Sequence, residues 1–170
     1  MAGTMEIREL TAADFAGWLP LWHGYLKFYE STVPEDTTLT TWHRLTDANE
    51  PMFALGAFVD SHESDGAARG AKLPGARTEG RLAGIAHIIY HRSCWTTGNY
   101  CYLQDLFTAE QARGQGIGTA LIEAVYARAK ADGASRVHWL THETNTTAQK
   151  LYEKVAARSG FIQYRKILSL

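Results

Sequence analysis

The stretch Tyr102-Leu103-Gln104-Asp105-Leu106-Phe107-Thr108, then Ala109 to Ala112, then Arg113-Gly114-Gln115-Gly116-Ile117-Gly118-Thr119 decides how this chain is read. Tyr100 to Thr108 is rich in aromatic and apolar residues and predicts a strand. Ile117, Leu121, Ile122 and Val125 recur at helical spacing and predict a helix to about Ala131, with Gly133 as its stop. Between the two lies a glycine-rich turn. Glycines let the backbone come close to a ligand, and successive N–H groups at a helix start form a nest for phosphate oxygens, helped by the helix dipole and by Arg113. A pyrophosphate suits such a nest. A Walker loop would end in Gly-Lys-Ser/Thr, and a dinucleotide fingerprint counted from Gly114 would need glycine at Thr119, so neither pattern is met. The same glycines could also do no more than close a tight strand–helix turn.

Upstream, Met5 to Leu10 alternate as a short strand, and Thr11 offers a helix cap with Asp14 in the first turn. Phe15, Trp18, Leu19, Trp22, Tyr25, Leu26 and Tyr29 lie on one helix face; Pro20 predicts a break, hence a short turn and then a helix to about Glu30. Ser31 to Thr38, with Pro34, reads as a loop, and Leu39, Trp42 and Leu45 as a short helix ending near Asp47. Met52 to Asp60 and Arg81 to Arg92 read as strands flanking Ser61 to Gly80, a glycine-rich, polar stretch expected to be a mobile loop. Downstream follow a strand over Val137 to Thr141, a helix from Asn145 to about Arg158, and a last strand over Phe161 to Leu168. The order β-α-α-β-β-β-α-β-α-β predicts an α/β (α+β) fold: one mixed, mostly antiparallel sheet flanked by helices, in a single domain over the 170 residues.

Charge is nearly balanced, at −1, with the basic residues scattered, so the stripe of Lys and Arg that nucleic-acid binding needs is missing. No apolar run reaches the roughly 20 residues of a membrane span, and the first ten residues lack a signal-peptide pattern, so the expected location is the cytoplasm. Cys94 and Cys101, without zinc-ligand spacing, read as reduced thiols, and no metal site is expected.

Arg113-x-x-Gly116-x-Gly118 resembles the acetyl-CoA signature of the GNAT acetyltransferase superfamily, and Asn145-Thr-Thr-Ala148-Gln-Lys-Leu151-Tyr152-Glu-Lys154 resembles its second cofactor segment. Trp22, Tyr25, Phe28-Tyr29, Pro34, Thr41-Trp42 and Gly160-Phe161 look like the fungal histone/polyamine and D-amino-acid acetyltransferase branch. The resemblance implies acetyl-CoA as co-substrate, a homodimer, and direct attack of an amine on the thioester in a ternary complex. It implies that Leu106, Phe107 and Thr108 bind the pantetheine arm through free backbone groups of a splayed strand, that Gly114, Gln115, Ile117 and Thr119 share the phosphate nest, and that Asn145, Ala148 and Lys154 contact the cofactor. Tyr152 is then the proton donor to the leaving thiolate. Asn145 as a helix cap, Lys154 as a solvated charge and Tyr152 as a core residue are the competing readings.

A primary amine arrives mostly protonated, so some group must take its proton. Diamine acetyltransferases carry Leu-Glu-Asp where this chain has Leu103-Gln104-Asp105, so a neutral amide stands where the usual glutamate base would be. Asp105, Glu143, His142 and His87 are the alternatives, with Tyr29, Glu30 and Glu143 on the amine side. The acceptor expected is a small primary amine, a polyamine or amino acid; a protein lysine and a non-catalytic acyl-CoA sensor are the competing functions.

Overall fold

The computed structural model describes residues 4–60 and 80–168. The loop expected over 61–80 lies, Gly80 apart, outside the described residues. The chain divides into two compact units, Met1–Trp139 and Leu140–Leu170.

The first unit runs β1 (Met5–Glu9), a 3-10 turn (Ala12–Asp14), α1 (Phe15–Phe28), α2 (Glu35–Thr46), β2 (Met52–Val59), β3 (Arg81–Arg92), β4 (Asn99–Thr108), a second 3-10 turn (Glu110–Ala112), α3 (Ile117–Ala131) and β5 (Val137–His138). The five strands pair in chain order, antiparallel except for the parallel pair β4–β5. A mixed α/β fold on a mostly antiparallel sheet is therefore what the chain builds. On one face Trp18 of α1 packs against Trp42 of α2, with ring centroids 4.8 Å apart, and hydrogen-bonds to His87 of β3. On the other face lies α3, with Arg128 over the Phe53 ring.

Pro20 does not break the first helix: α1 is continuous. An interior proline costs a helix about 3 kcal/mol, because one hydrogen bond is lost and its ring crowds the preceding turn. Trp18, Leu21 and Trp22 are 0, 7 and 8 % exposed, and burying a large apolar side chain contributes about 1.5–3 kcal/mol. Three of them outweigh one proline. The helix ends on a Schellman arrangement, with Ser31 N–H donating to Leu26 C=O and Glu30 N–H to Lys27 C=O, and Glu30 takes φ +50°.

The second helix starts earlier than its apolar pattern indicates. Pro34, at φ −56°, precedes Glu35 and Asp36, whose charges favour a helix N-terminus, so the predicted loop shrinks by four residues. The Thr38 hydroxyl accepts the Trp22 indole N–H at 3.3 Å and is buried by it. Cys94 is exposed, whereas Cys101 on β4 is fully buried, and that burial pushes its thiol up to about 11.

The second unit holds α4 (Thr146–Val155), shorter than expected by three residues at its end. The strand predicted over Phe161 to Leu168 does not form, and β5 ends at His138 rather than Thr141. Apolar alternation gives a segment the capacity to pair, but a strand exists only with a neighbour to take its hydrogen bonds. Phe161 and Tyr164 stand 89 and 87 % exposed.

At the entry to α1 the Asp14 carboxylate accepts two hydrogen bonds from the Arg8 guanidinium, at 2.8 and 2.7 Å, and others from the Thr11 N–H and hydroxyl. The Arg8 bonds hold its carboxyl at about 2, against 3.8 for a free aspartate. A depressed folded-state pKa contributes stability above pH ~4 that is lost as pH falls toward ~2. Asp14→Ala should therefore cost about 1–2 kcal/mol at pH 7, allowing for solvent screening of the part-exposed guanidinium, and much less at pH 2. Urea midpoints of the two proteins at both pH values check this.

Candidate active site

The candidate residues separate into two groups, one in each compact unit. In the first, β4 pairs with β5 only at Cys101–Val137 and Tyr102–His138, then runs on to Thr108. From Leu103 onward β4 keeps β3 on one side and, among the described residues, has no strand ladder on the other. Leu106, Phe107 and Thr108 lie in this part of β4, where the Thr108 C=O accepts the Arg113 Nε at 3.4 Å. Phe107 is buried, with its ring edge-on to Tyr25 of α1 at 6.4 Å.

Past the short turn at Glu110–Ala112, Gly114 and Gly116 take φ +77° and +80°, and Gly116 caps α3. An L side chain is disfavoured at such an angle, so glycine is needed for the backbone path even though no heavy atom lies within 4 Å of a Cβ added at either residue. The first intrahelical bond is Ala120 N–H to Gly116 C=O at 3.0 Å, which leaves the N–H groups of Ile117, Gly118 and Thr119 ahead of it at the positive end of the helix dipole. The mouth of this turn is open and exposed around Arg113 to Gly116. Gly84 of β3 sets where the helix begins: a Cβ there would stand 2.7 Å from Ile117 Cγ2. Arg113 donates its Nε to Thr108 C=O at 3.4 Å, and its guanidinium lies near the Phe28 and Phe107 rings.

Of the amine-side candidates, His87 and Asp105 meet on the sheet face that packs against α1, whereas His142 and Glu143 belong to the second unit. In the β3–β4 register His87 stands opposite Asp105 and Ile88 opposite Leu103, so Gln104 is the extra residue of a bulge. Gln104 is exposed and Asp105 only 9 % so. The Trp18 indole N–H donates to His87 Nε2 at 2.9 Å, and His87 Nδ1 stands 2.9 Å from Asp105 Oδ2. Tyr25 is held strongly protonated by burial, by the Asp105 charge and by a hydrogen bond to that carboxylate. Burial and the same charge also raise Tyr102. Among the described residues no Lys or Arg forms an ion pair with Asp105. Its carboxylate stands beside the His87 imidazole among aromatic rings, an arrangement that suits an incoming ammonium. Tyr29 packs edge-on to Tyr25 at 5.1 Å and is exposed, as is Glu30 beyond the helix end. Among the described residues no three His, Cys, Asp or Glu side chains gather as a metal site.

In the second unit Asn145 caps α4: its side chain accepts the Ala148 N–H at 3.3 Å and donates to the Thr141 hydroxyl at 3.4 Å. Tyr152 is half-buried, seven residues on and so nearly on the same helix face, while Lys154 and Glu143 are exposed. The links Trp18–His87, His87–Asp105 and Tyr25–Asp105 were not readable from sequence. Their partners lie 69, 18 and 80 residues apart, and the only local sign was a histidine inside an otherwise apolar strand.

Residues 38–157 match the acetyltransferase (GNAT) family, and the chain belongs to that family and is an N-acetyltransferase. Over 160 residues it is 30% identical to the D-amino-acid N-acetyltransferase of Saccharomyces cerevisiae, covering 94% of this chain and 89% of that one. It is 34% identical to the thialysine N-epsilon-acetyltransferase of Mus musculus over 87 residues, 48% of this chain and 49% of the relative. A solved aminoglycoside N-acetyltransferase in complex with CoA shares the fold, with a TM-score of 0.69 at 17% identity, over 100% of this chain and 95% of that one.

Gly116→Ala should destabilise the protein by about 1–2 kcal/mol, the cost of a left-handed angle for an L residue, although the site has ample room. Chemical denaturation checks it; an unchanged midpoint would mean that the turn tolerates another backbone path.

Proposed function

We propose that the protein transfers the acetyl group of acetyl-CoA to the primary amine of a small molecule, an amino acid in preference to a polyamine, by direct attack in a ternary complex. The observation that carries this reading is that one strand, β4, bears a buried carboxylate with no Lys or Arg partner and no second strand ladder beside it among the described residues, and then leads into a left-handed glycine turn at a helix N-terminus. Acetyl-CoA would supply the activated thioester. The N–H groups of Ile117, Gly118 and Thr119 suit its pyrophosphate, and the edge of Leu106 to Thr108 suits the pantetheine arm, where a backbone N–H can polarise the thioester carbonyl.

Asp105 holds the substrate ammonium and takes its proton, directly or through water, before attack. Gln104 is neutral and exposed, so it cannot serve as base. Its neutrality also leaves this position without the negative charge that diamine acetyltransferases carry there, which favours a substrate carrying its own carboxylate. The two relatives named for amino-acid substrates point the same way. On α4, Asn145 is committed to the cap through its oxygen, and Tyr152 shares its face two turns on, as the acid for the departing thiolate.

Thiol release from acetyl-CoA, measured over polyamines, both enantiomers of several amino acids and a histone-tail peptide, tests the substrate. Turnover is expected with amino acids. Release with the peptide alone would overturn the small-molecule reading, and acetyl-CoA binding without release for any amine would overturn catalysis. Tyr152→Phe should leave acetyl-CoA affinity nearly unchanged and lower the single-turnover rate by about 10²–10⁴-fold, as loss of a general acid does. A folded variant with a wild-type rate would return Tyr152 to a packing role.

A further inference from the structure

We infer that His87 is a positioning residue for the amine-side carboxylate, holding Asp105 in one orientation through a single imidazole tautomer fixed by Trp18. The inference rests on the reading of Asp105 as the group that receives the substrate amine. An indole N–H only donates, so His87 Nε2, 2.9 Å from it, must present its lone pair. The proton of the neutral ring then sits on Nδ1, which donates to Asp105 Oδ2 at 2.9 Å. Both ring nitrogens are committed, and the side chain is 1 % exposed. His87 therefore has no lone pair left for a substrate proton, which separates it from the other base candidates.

The anchor at the far end is rigid. Trp18 is fully buried and stacks on Trp22 at 5.8 Å with planes 10° apart, while Trp42 closes its other side. Directly opposed residues of an antiparallel pair share a face, so the His87–Asp105 register sets imidazole and carboxylate side by side. The bulge at Gln104 holds that register apart from the Ile88–Leu103 pair. Tyr25 of α1 lies on the same side of the sheet, its ring edge-on to Phe107 at 6.4 Å, and the Asp105 charge helps to hold its hydroxyl protonated. A donor anchored from a different element, Trp18 of α1, thus fixes the orientation of the Asp105 carboxylate.

His87→Leu removes the donor, and His87→Asn restores an N–H near the position of Nδ1. On the best amine of the substrate panel, His87→Leu should lower kcat/KM for the amine by about 10²-fold with the KM for acetyl-CoA unchanged, and His87→Asn should recover part of that loss. In an Asp105→Asn background the His87→Leu change should add no further loss, because the histidine acts only through that carboxylate. Nitrogen-15 resonances of His87 in the unliganded protein should report a proton on Nδ1 and none on Nε2. Equal losses in both backgrounds, an unchanged amine kcat/KM in folded His87→Leu, or a protonated Nε2 would overturn the inference. Full activity of Asp105→Asn would instead overturn the underlying reading. If His87→Leu does not fold, Trp18→Phe keeps the ring but releases the tautomer, and its amine kcat/KM, compared between the wild-type and Asp105→Asn backgrounds, decides the matter by the same criteria.

Discussion

Taking a carboxylate out of water costs several kcal/mol unless hydrogen bonds replace the lost hydration. Asp105 is placed under that constraint by β4, and among the described residues its surroundings answer with the His87 imidazole rather than with a Lys or Arg. That partner must itself be supported. His87 is held in its tautomer by Trp18, Trp18 is held by the aromatic stack with Trp22 and Trp42, and Trp22 finds its own acceptor in Thr38. The packing of α1 and α2 on the sheet is thus inseparable from the electrostatics of one anion.

The opposite face of the sheet has a simpler task. The start of α3 presses on β3 at Gly84, closely enough that a methyl group there would collide with Ile117. This contact fixes where the helix axis begins, and the left-handed Gly116 fixes how the chain enters it. The N–H groups of the first turn are consequently aimed by packing on one side and by backbone angle on the other. No side chain of the turn needs to be specified for that purpose, which is why Arg113 is free to lie against Phe28 and Phe107.

Local patterns were a good guide where local physics decides. The glycine turn, the α3 face and the strands β1 to β4 all follow from short-range spacing, and each formed. They misled where tertiary burial outweighed them: Pro20 sits inside a continuous helix because three large side chains of the same helix are buried, and α2 begins at Glu35 because Pro34 and two acidic residues make a start that apolar periodicity does not record. They misled again over Phe161 to Leu168, where alternation describes what a segment could pair with, not whether a partner is there. In the site, the turn and Asp105 were legible as residues, while the Trp18–His87–Asp105 chain was not. Its members come from three elements, and the hydrogen bonds joining them exist only once the sheet has set its register.

Two cysteines with the same covalent structure have been given different reactivities by the fold. Cys101 is sealed inside β4 with its thiol pushed up to about 11, so at physiological pH it offers almost no thiolate, while Cys94 lies on the surface near the β3–β4 turn. Nucleophilic attack on maleimides or peroxide requires both access and thiolate. The protein therefore carries a single addressable sulfur, and a fluorophore or spin label can be attached at Cys94 without engineering away the other thiol.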